Sequence, residues 1–430
     1  MRKKVFIRTW GCQMNFHDAE KMFGVLLRSG YRQTESAQKA DLIILNTCSI
    51  RQKAEQKFFS ELGRLKSLKK KRADLKIAVA GCIAQQEGKD LFKKAPYVDF
   101  IFGPQNIHHL HHIGAKTSQF CALEDNPSLA LSDLPSARND DIHAWVTIMY
   151  GCNNFCTYCV VPFTRGRERS RPSENICAEV SELAERGCKE ITLLGQNVNS
   201  YESDVDFAGL LEKLDAIREI KRIRFVTSHP KDLSDRLISA IADLPGICEH
   251  IHLPLQSASD SVLKRMKRGY ALKDYVQRID RLRRVVPNIA ITSDVIAGFP
   301  GESDNDHAKT VRALEDIRFD GIFAFAFSAR RQTRAARYEG QIPADVKMRR
   351  LEEILQIQDS ITLEKNRALE GTVQEILVEG FSETDKRKTM GRTRTNKIVT
   401  LESRQLPKGS FIRAEIVRAR KHSLEGVLVS

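Results

Sequence analysis

No apolar run in the sequence approaches the roughly 18 residues that a helix needs to cross a bilayer. The start, MRKKVFIRTWGC, carries no hydrophobic signal segment. These absences argue against a helical membrane protein and lead us to expect a cytoplasmic chain with no membrane partner. Acidic residues are in deficit, with 55 Asp and Glu against 69 Lys and Arg, a net charge of +14. Such an excess favours polyanionic partners, although a basic surface can also serve solubility alone. Cysteine is sparse, ten in 430 residues. That excludes a disulfide-built scaffold and, in a reducing compartment, favours metal binding or catalysis. No convincing general acid–base pair stands out. Hydrophobic residues make up 41% of the chain, which excludes overall disorder, and the length predicts two or three domains.

The N-terminal part alternates short apolar runs with helical patterns, as βα units do. Strands are expected at 5–8, 41–46 (DLIILN) and 75–80 (LKIAVA), with helices at 18–27, at 51–68 and after Gln85. Cys12, Cys48 and Cys82 each follow the carboxyl end of one of these strands. That edge of an open parallel sheet is where ligands bind, so a shared metal is expected there. Three packing cysteines are the plain alternative. The basic stretch KSLKKKRADLK (66–76) reads as a solvated helix end, with an RNA-facing patch as the sharper reading. The HHLHH segment (108–112) reads as surface, and 114–141 loses periodicity as a linker does.

Beyond it, strand-like runs recur at 144–149, 190–194, 223–227, 250–254, 289–296 and 322–327, with helical patterns between them such as 174–186 and 272–285. Six βα units predict a parallel sheet that curls into a partial (β/α)6 barrel, with its active site at the C-terminal face. From Gly371 the pattern becomes short alternating runs broken by Gly and Ser, a small antiparallel β-barrel. This segment holds 12 Lys and Arg against 7 Asp and Glu. The expected organisation is residues 1–118, a linker at 119–137, a barrel domain at 138–368 and a β-barrel at 369–430.

The sharpest signal is GCNNFCTYC (151–159). Its C-x3-C-x2-C spacing gathers Cys152, Cys156 and Cys159 just after the first barrel strand. Structural zinc sites use four ligands, commonly from two separated pairs, and no second C-x-x-C exists here. Three thiolates can instead hold three irons of a [4Fe–4S] cluster and leave the fourth open to an external ligand.

This triplet resembles that of the radical S-adenosylmethionine superfamily. GCQMN (11–15), NTCSIRQKAEQK (46–57), GCIAQQ (81–86), YGCNNFCTYCVVPFTRGRERSRP (150–172), LLGQNVNSY (193–201), TSHP (227–230), HLPLQSASD (252–260) and DVIAGFPGE (294–302) resemble the methylthiotransferases of that superfamily. The C-terminal barrel resembles their RNA-binding TRAM domain. Within the family, CQMN and NTCSIRQKAEQK look most like the members that act on N6-dimethylallyladenosine of tRNA. One departure from the superfamily at large is Gly195-Gln196-Asn197, which stands where Gly-Gly-Glu is usual.

The resemblance implies an α/β multi-domain fold with an N-terminal open parallel sheet, a central radical barrel and a TRAM module. It implies one [4Fe–4S] cluster on Cys152, Cys156 and Cys159, a second on Cys12, Cys48 and Cys82, and S-adenosylmethionine as co-substrate. The expected reaction places a methylthio group at C2 of N6-isopentenyladenosine at position 37 of tRNA, read in the anticodon loop. Tyr158 matches the residue that lies against the adenine of the co-substrate. Gln196, Ser257 and Asp294, at strand ends, are expected cofactor contacts. Arg165 and Arg167 are candidates for RNA phosphates or the methionine carboxylate, with ion pairs to Glu168 and Glu174 as the plainer reading. No catalytic residue beyond the cluster ligands is expected. An electron donor such as flavodoxin or ferredoxin and a monomeric state complete the expectation. Cys121, Cys177, Cys188 and Cys248 share no spacing and read as packing thiols; Gly298, Pro300 and Gly301 read as a turn. Relatives acting on threonylcarbamoyl-adenosine of tRNA or on a ribosomal-protein aspartate, and a non-catalytic Fe–S RNA-binding protein, remain open alternatives.

Overall fold

Alternating apolar side chains decide the N-terminal layer. Leu42 and Ile44 point to one face of their strand and Ile43 and Leu45 to the other, and all four are fully buried. A strand buried on both faces needs a helix layer on each. In the computed structural model, Met22, Val25 and Leu26 of the helix Gln13–Arg28 cover one face, and Phe58, Leu62 and Leu65 of the helix Gln52–Lys71 cover the other. The structure describes residues 3–49, 52–113, 118–126, 128, 134–138, 140–382, 385–402 and 406–429. Residues 50–51 of the NTCSIRQKAEQK motif, and 114–117, 127, 129–133 and 139 of the expected linker region, lie outside them.

The sheet has six parallel strands in the order Arg32–Gln33, Lys4–Trp10, Leu42–Thr47, Lys76–Gly81, Phe100–Phe102, Phe120–Ala122. The three strands read from the sequence are adjacent in its middle. The last one is a difference: Phe120–Ala122 falls in the stretch expected to be a linker, yet it pairs with Phe100–Phe102 and closes that edge. Beyond it, the chain runs back along the first helix, where the Ala137 N–H donates to the Glu20 carbonyl.

The six expected barrel strands are all present, as His143–Thr147, Glu190–Leu194, Arg222–Phe225, His250–His252, Ala290–Ala297 and Gly321–Ala326. They form two parallel three-stranded segments, and the curved sheet stays short of a full barrel. Val146, Ile191, Leu193, Ile223, Phe225, Ile251, Ile291 and Val295 point outward into one large core beneath the helices. With a side-chain period of two, the intervening residues line the inside: His143, Trp145, Thr192, Arg224, His252, Thr292, Asp294, Phe323 and Phe325. The inner face is therefore polar and aromatic rather than an aliphatic core.

A 24-residue helix, Ala344–Arg367, leads out of the barrel and buries Ile354 and Ile361. The C-terminal module is a closed five-stranded barrel of Val373–Phe381, Thr389–Thr393, Ile398–Leu401, Phe411–Ala419 and Leu424–Leu428. It is antiparallel as expected except at its closure, where Ile398–Leu401 and Leu424–Leu428 run parallel. Its anchor is ionic. The Arg222 guanidinium donates to the Arg392 carbonyl at 2.7 Å and pairs with Glu375 at 2.9 Å. Arg224 donates to the Thr393 and Arg394 carbonyls, and Arg394 pairs with Glu249 at 2.8 Å. These contacts lie at the amino ends of the barrel strands, opposite the cysteine loops.

Candidate functional site

Matched registers place the three N-terminal cysteines. Trp10 stands beside Thr47, and Thr47 beside Gly81, so the next turns of chain emerge side by side. Gly11 (φ +134°) precedes the first cysteine, and a Cβ there would lie 2.5 Å from the Cys48 Cβ. Only glycine admits that approach. The Cys48 thiol is hydrogen-bonded to both Cys12 and Cys82. Cys12 caps the helix Gln13–Arg28 and Cys82 opens the helix Cys82–Glu87, so both sulfurs sit at helix amino termini, where negative charge is favoured. The hydrogen bond from Cys48 lowers the Cys12 and Cys82 thiols, against burial, and the Arg165 charge lowers them further. Cys48, hydrogen-bonded with both, is raised well above the usual thiol range. Asn15 accepts from Cys12 at 3.3 Å, and the Asn46 amide donates to the Asn15 carbonyl at 2.7 Å.

The second trio lies on the loop after Met149–Tyr150. Gly151 (φ +73°) starts it, and a Cβ there would meet the Arg167 carbonyl at 2.0 Å. Thr157 ties the loop to the end of the helix Asp260–Met266, through its N–H to the Met266 carbonyl and its hydroxyl to the Arg265 carbonyl. Burial raises Cys152 and Cys159, the latter to about 12. Arg268, buried and invisible to motif reading, donates to the Cys156 sulfur at 3.5 Å and to the Pro254 carbonyl at 2.9 Å. Tyr158 packs edge-on to Phe299 at 6.4 Å.

The two trios meet at one mouth. Cys12, Trp145 and Val226 pack against one small cluster of Met14 from the N-terminal helix and Tyr150 and Leu194 at the carboxyl ends of barrel strands. Lys21 reaches from the N-terminal helix to the Tyr150 hydroxyl. Around this mouth four buried polar atoms have no hydrogen-bond partner among the described residues: Gln196 Nε2, Asn197 Oδ1, Ser228 Oγ and His229 Nε2. Buried polar groups are normally satisfied, so a cluster of orphans fits a bound polar ligand. Among the described residues, no three His, Cys, Asp or Glu side chains are grouped as ligands of one metal ion. A cubane differs in taking one thiolate per iron, and two all-sulfur trios fit that chemistry.

Other sequence expectations divide. Gln196 lies at the mouth and accepts from the Gly151 N–H. Asp294 lines the barrel, 3.4 Å from His252. Ser257 is buried, and its hydroxyl meets Thr310 and accepts from the Ser259 N–H. Arg167 is exposed and lies over the Phe155 ring at 4.3 Å. Arg165 turns away from the triplet, buried against Asp18 at 2.6 Å. The anticipated partners Glu168 and Glu174 are not those used: Arg169 pairs with Asp125 and Arg171 with Glu179. The fold brings other acids to this loop: Asp18 of the N-terminal helix, the exposed Asp125 just past Phe120–Ala122, and Glu179 of the barrel-domain helix Ser173–Glu185. Lys69 and Lys76 of the basic stretch pair with Asp99. The His108–His112 segment is a short helical turn with His111 and His112 exposed. Cys188 and Cys248 are buried; Cys121 and Cys177 are partly so, and all four lie apart from either trio.

Comparison with known proteins agrees with this architecture. Residues 4–103 match a family described as "Uncharacterized protein family UPF0004", 146–314 the radical SAM superfamily and 367–429 the TRAM domain. The solved structure of the radical S-adenosylmethionine methyltransferase TsrM from Kitasatospora setae superposes with a TM-score of 0.59 at 12% identity, covering 78% of this chain and 77% of that one. The cobalamin-dependent S-adenosylmethionine radical enzyme OxsB gives 0.55 at 12% identity, over 83% of this chain and 56% of that one. Both speak to the fold alone. Among curated proteins, the tRNA-2-methylthio-N(6)-dimethylallyladenosine synthase of Thermodesulfovibrio yellowstonii is 53% identical over 100% of this chain and 99% of its own. Its counterpart in Syntrophus aciditrophicus is 47% identical over 100% and 95%. At such identity over the full length, the chain belongs to the tRNA-2-methylthio-N(6)-dimethylallyladenosine synthase family, within the radical SAM superfamily.

Proposed function

We propose that this chain is a tRNA methylthiotransferase that replaces hydrogen at C2 of N6-isopentenyladenosine, at position 37 of tRNA, with a methylthio group. The observation that carries this reading is the meeting of two cysteine trios at one barrel mouth. Cys12 packs against the cluster of Met14, Tyr150 and Leu194, and Tyr150 is two residues ahead of Cys152. In this reading Cys152, Cys156 and Cys159 hold one [4Fe–4S] cluster and Cys12, Cys48 and Cys82 another. The chemistry such a cluster would supply with S-adenosylmethionine is a carbon-centred radical able to break an unactivated C–H bond, and Cys12, Cys48 and Cys82 would leave one iron of the second without a thiolate.

The chain's own residues orient and enclose. Asn15 and Asn46 fix the Cys12 side, and Arg268 supports the Cys156 side. Gln196, Asn197, Ser228 and His229 offer unused donors and acceptors to the polar groups of S-adenosylmethionine, with Tyr158 against its adenine. Burial, reinforced by Arg268, depresses His229 to about 2, so it meets a ligand as neutral imidazole. The substrate base enters the polar inner face between His252, Asp294 and Trp145. Basic residues of the C-terminal module and exposed Arg167 contribute phosphate affinity. A flavodoxin or ferredoxin would supply electrons, and the enzyme works in the cytoplasm as a monomer.

Nucleoside mass spectrometry of tRNA from cells lacking the protein tests the reading. Loss of the 2-methylthio nucleoside with accumulation of its isopentenyl precursor is expected. Unchanged tRNA, or modification of a ribosomal protein alone, would sink it.

A further inference from the structure

Arg165 lies six residues beyond Cys159, on the loop that follows the short helix Val161–Thr164. Its backbone belongs to the barrel domain, where its N–H donates to the Val161 carbonyl at 2.8 Å. Its side chain belongs to the other domain. Only 6% of that side chain is exposed, and Nη2 meets Oδ2 of Asp18, itself 3% exposed, at 2.6 Å. Asp18 sits on the helix that Cys12 caps. The helix that Cys82 opens packs against the short helix Val161–Thr164 that leads into Arg165, and the Arg165 charge acts on the Cys82 and Cys12 thiols. Gln105, from the N-terminal domain, clamps the same loop by donating to the Arg165 carbonyl at 3.1 Å.

A buried charge needs a reason, because removing a guanidinium from water costs several kcal/mol before any partner repays it. Asp18 alone would make a neutral pair. The guanidinium acts more strongly on Cys82 than the Asp18 carboxylate does, and it acts on Cys12 as well. Three thiolates and the cage they hold carry net negative charge, and one-electron reduction adds another with no proton to offset it. Net charge and hydrogen bonds to sulfur are among the levers that set the potential of such a group.

Resting on the reading that Cys12, Cys48 and Cys82 hold an iron–sulfur cluster, we propose that Arg165 is a positioning residue and a built-in counter-charge for that cluster. It is supplied by the radical-generating domain, and Asp18 sets how much of its charge the cluster feels. The loop that carries the radical triplet thereby also governs the reduction potential of the second site.

The test uses the full chain with Cys152, Cys156 and Cys159 replaced by Ala, so that only the auxiliary cluster forms on anaerobic reconstitution. Its potential is read by redox titration followed by electron paramagnetic resonance. R165M should shift the midpoint to more negative potential, and D18N, which leaves the cation uncompensated, to more positive. R165K should stay near the parent value. Opposite shifts distinguish a charge effect from loosening of the site, which would move both variants the same way. Coincident potentials, or shifts of one sign, overturn the proposal. Should R165M fail to fold, the positive shift of D18N still decides. A parent chain that binds no iron would overturn the assignment of the trio itself, and the proposal with it, and is recognised by iron content before any potential is measured.

Discussion

The Lys21 ammonium donates to the Tyr150 hydroxyl at 3.0 Å, joining the helix that begins at Cys12 to the residue before Gly151 and Cys152. It also lies 5.4 Å from the Tyr150 ring centroid, and it is 93% shielded from solvent. This contact bridges the two cysteine sites through side chains rather than through the chain.

Lys21→Met should therefore destabilise the protein by about 1–3 kcal/mol, the cost of leaving a buried hydroxyl unpaired. Tyr150→Phe in the same background should recover part of that loss. Denaturant unfolding of the four members of the cycle measures it. Additive single effects would show that the contact carries no coupling.

Iron content should separate the two sites. Reconstituted protein is expected to hold about eight irons per chain, falling to about four in either Cys12/Cys48/Cys82 or Cys152/Cys156/Cys159 triple-alanine variants. Production of 5′-deoxyadenosine should survive in the first variant and vanish in the second. A chain that holds about four irons whatever happens to the N-terminal trio would refute two clusters.

Stability should fall on mild acidification. Burial first, then nearby cations, holds His229 at about 2 and His250 at about 3; Arg268 acts on the former and Arg224 on the latter. Unfolded histidine takes a proton near pH 6.5. Between that value and the folded values the unfolded state binds more protons, so stability is complete above about pH 6.5 and declines below it. The slope is about 1.4 kcal/mol per pH unit for each histidine. Urea unfolding at about pH 7 and about pH 5.5 should show the decline. His250→Asn should flatten it.

Removing Arg222 should detach the C-terminal module. The side chain is fully buried and answers Glu375, the Arg392 carbonyl and, at 3.9 Å, Glu190. Arg222→Met leaves the Arg392 carbonyl without its donor, while Glu190 keeps Arg224 at 3.0 Å, and should cost about 1–3 kcal/mol. Limited proteolysis should then release a C-terminal fragment that the parent protein retains.

Phe323 and Phe325 are 54% and 43% exposed on the last barrel strand, with Phe323 edge-on to His252 at 5.9 Å. If they stack on splayed bases, Phe323→Ala should weaken tRNA binding by about 1–3 kcal/mol. Its unfolding transition should move little. Equal loss of folding stability and affinity would speak for a packing role instead.

Much of this was legible locally. Strand positions follow from short apolar runs, and the cysteines that end them sit within a residue or two of those runs. The triplet occupies eight residues, so its meaning survives without any tertiary knowledge. Arg165 and Asp18 are 147 residues apart and Arg268 and Cys156 are 112 apart; no spacing rule links such pairs, and the acids that answer the arginine-rich loop, Asp18, Asp125 and Glu179, come from three separate stretches of chain. Phe120–Ala122 was too short to show alternation, and the contact of the Ser257 hydroxyl with Thr310, 53 residues on, follows from no local pattern.

Six strands do not close a ring. The first strand carries Trp145, 6.2 Å from Phe16 of the N-terminal domain, and the last carries Phe323 and Phe325 toward solvent. The C-terminal module plugs the amino ends of the strands, while the cysteine loops roof the carboxyl ends. On the proposed function, a nucleic acid held by the plug would lie along the flank of the molecule, and a splayed base would have a sideways route at the seam where two more βα units would have stood. The incompleteness of the barrel is its doorway.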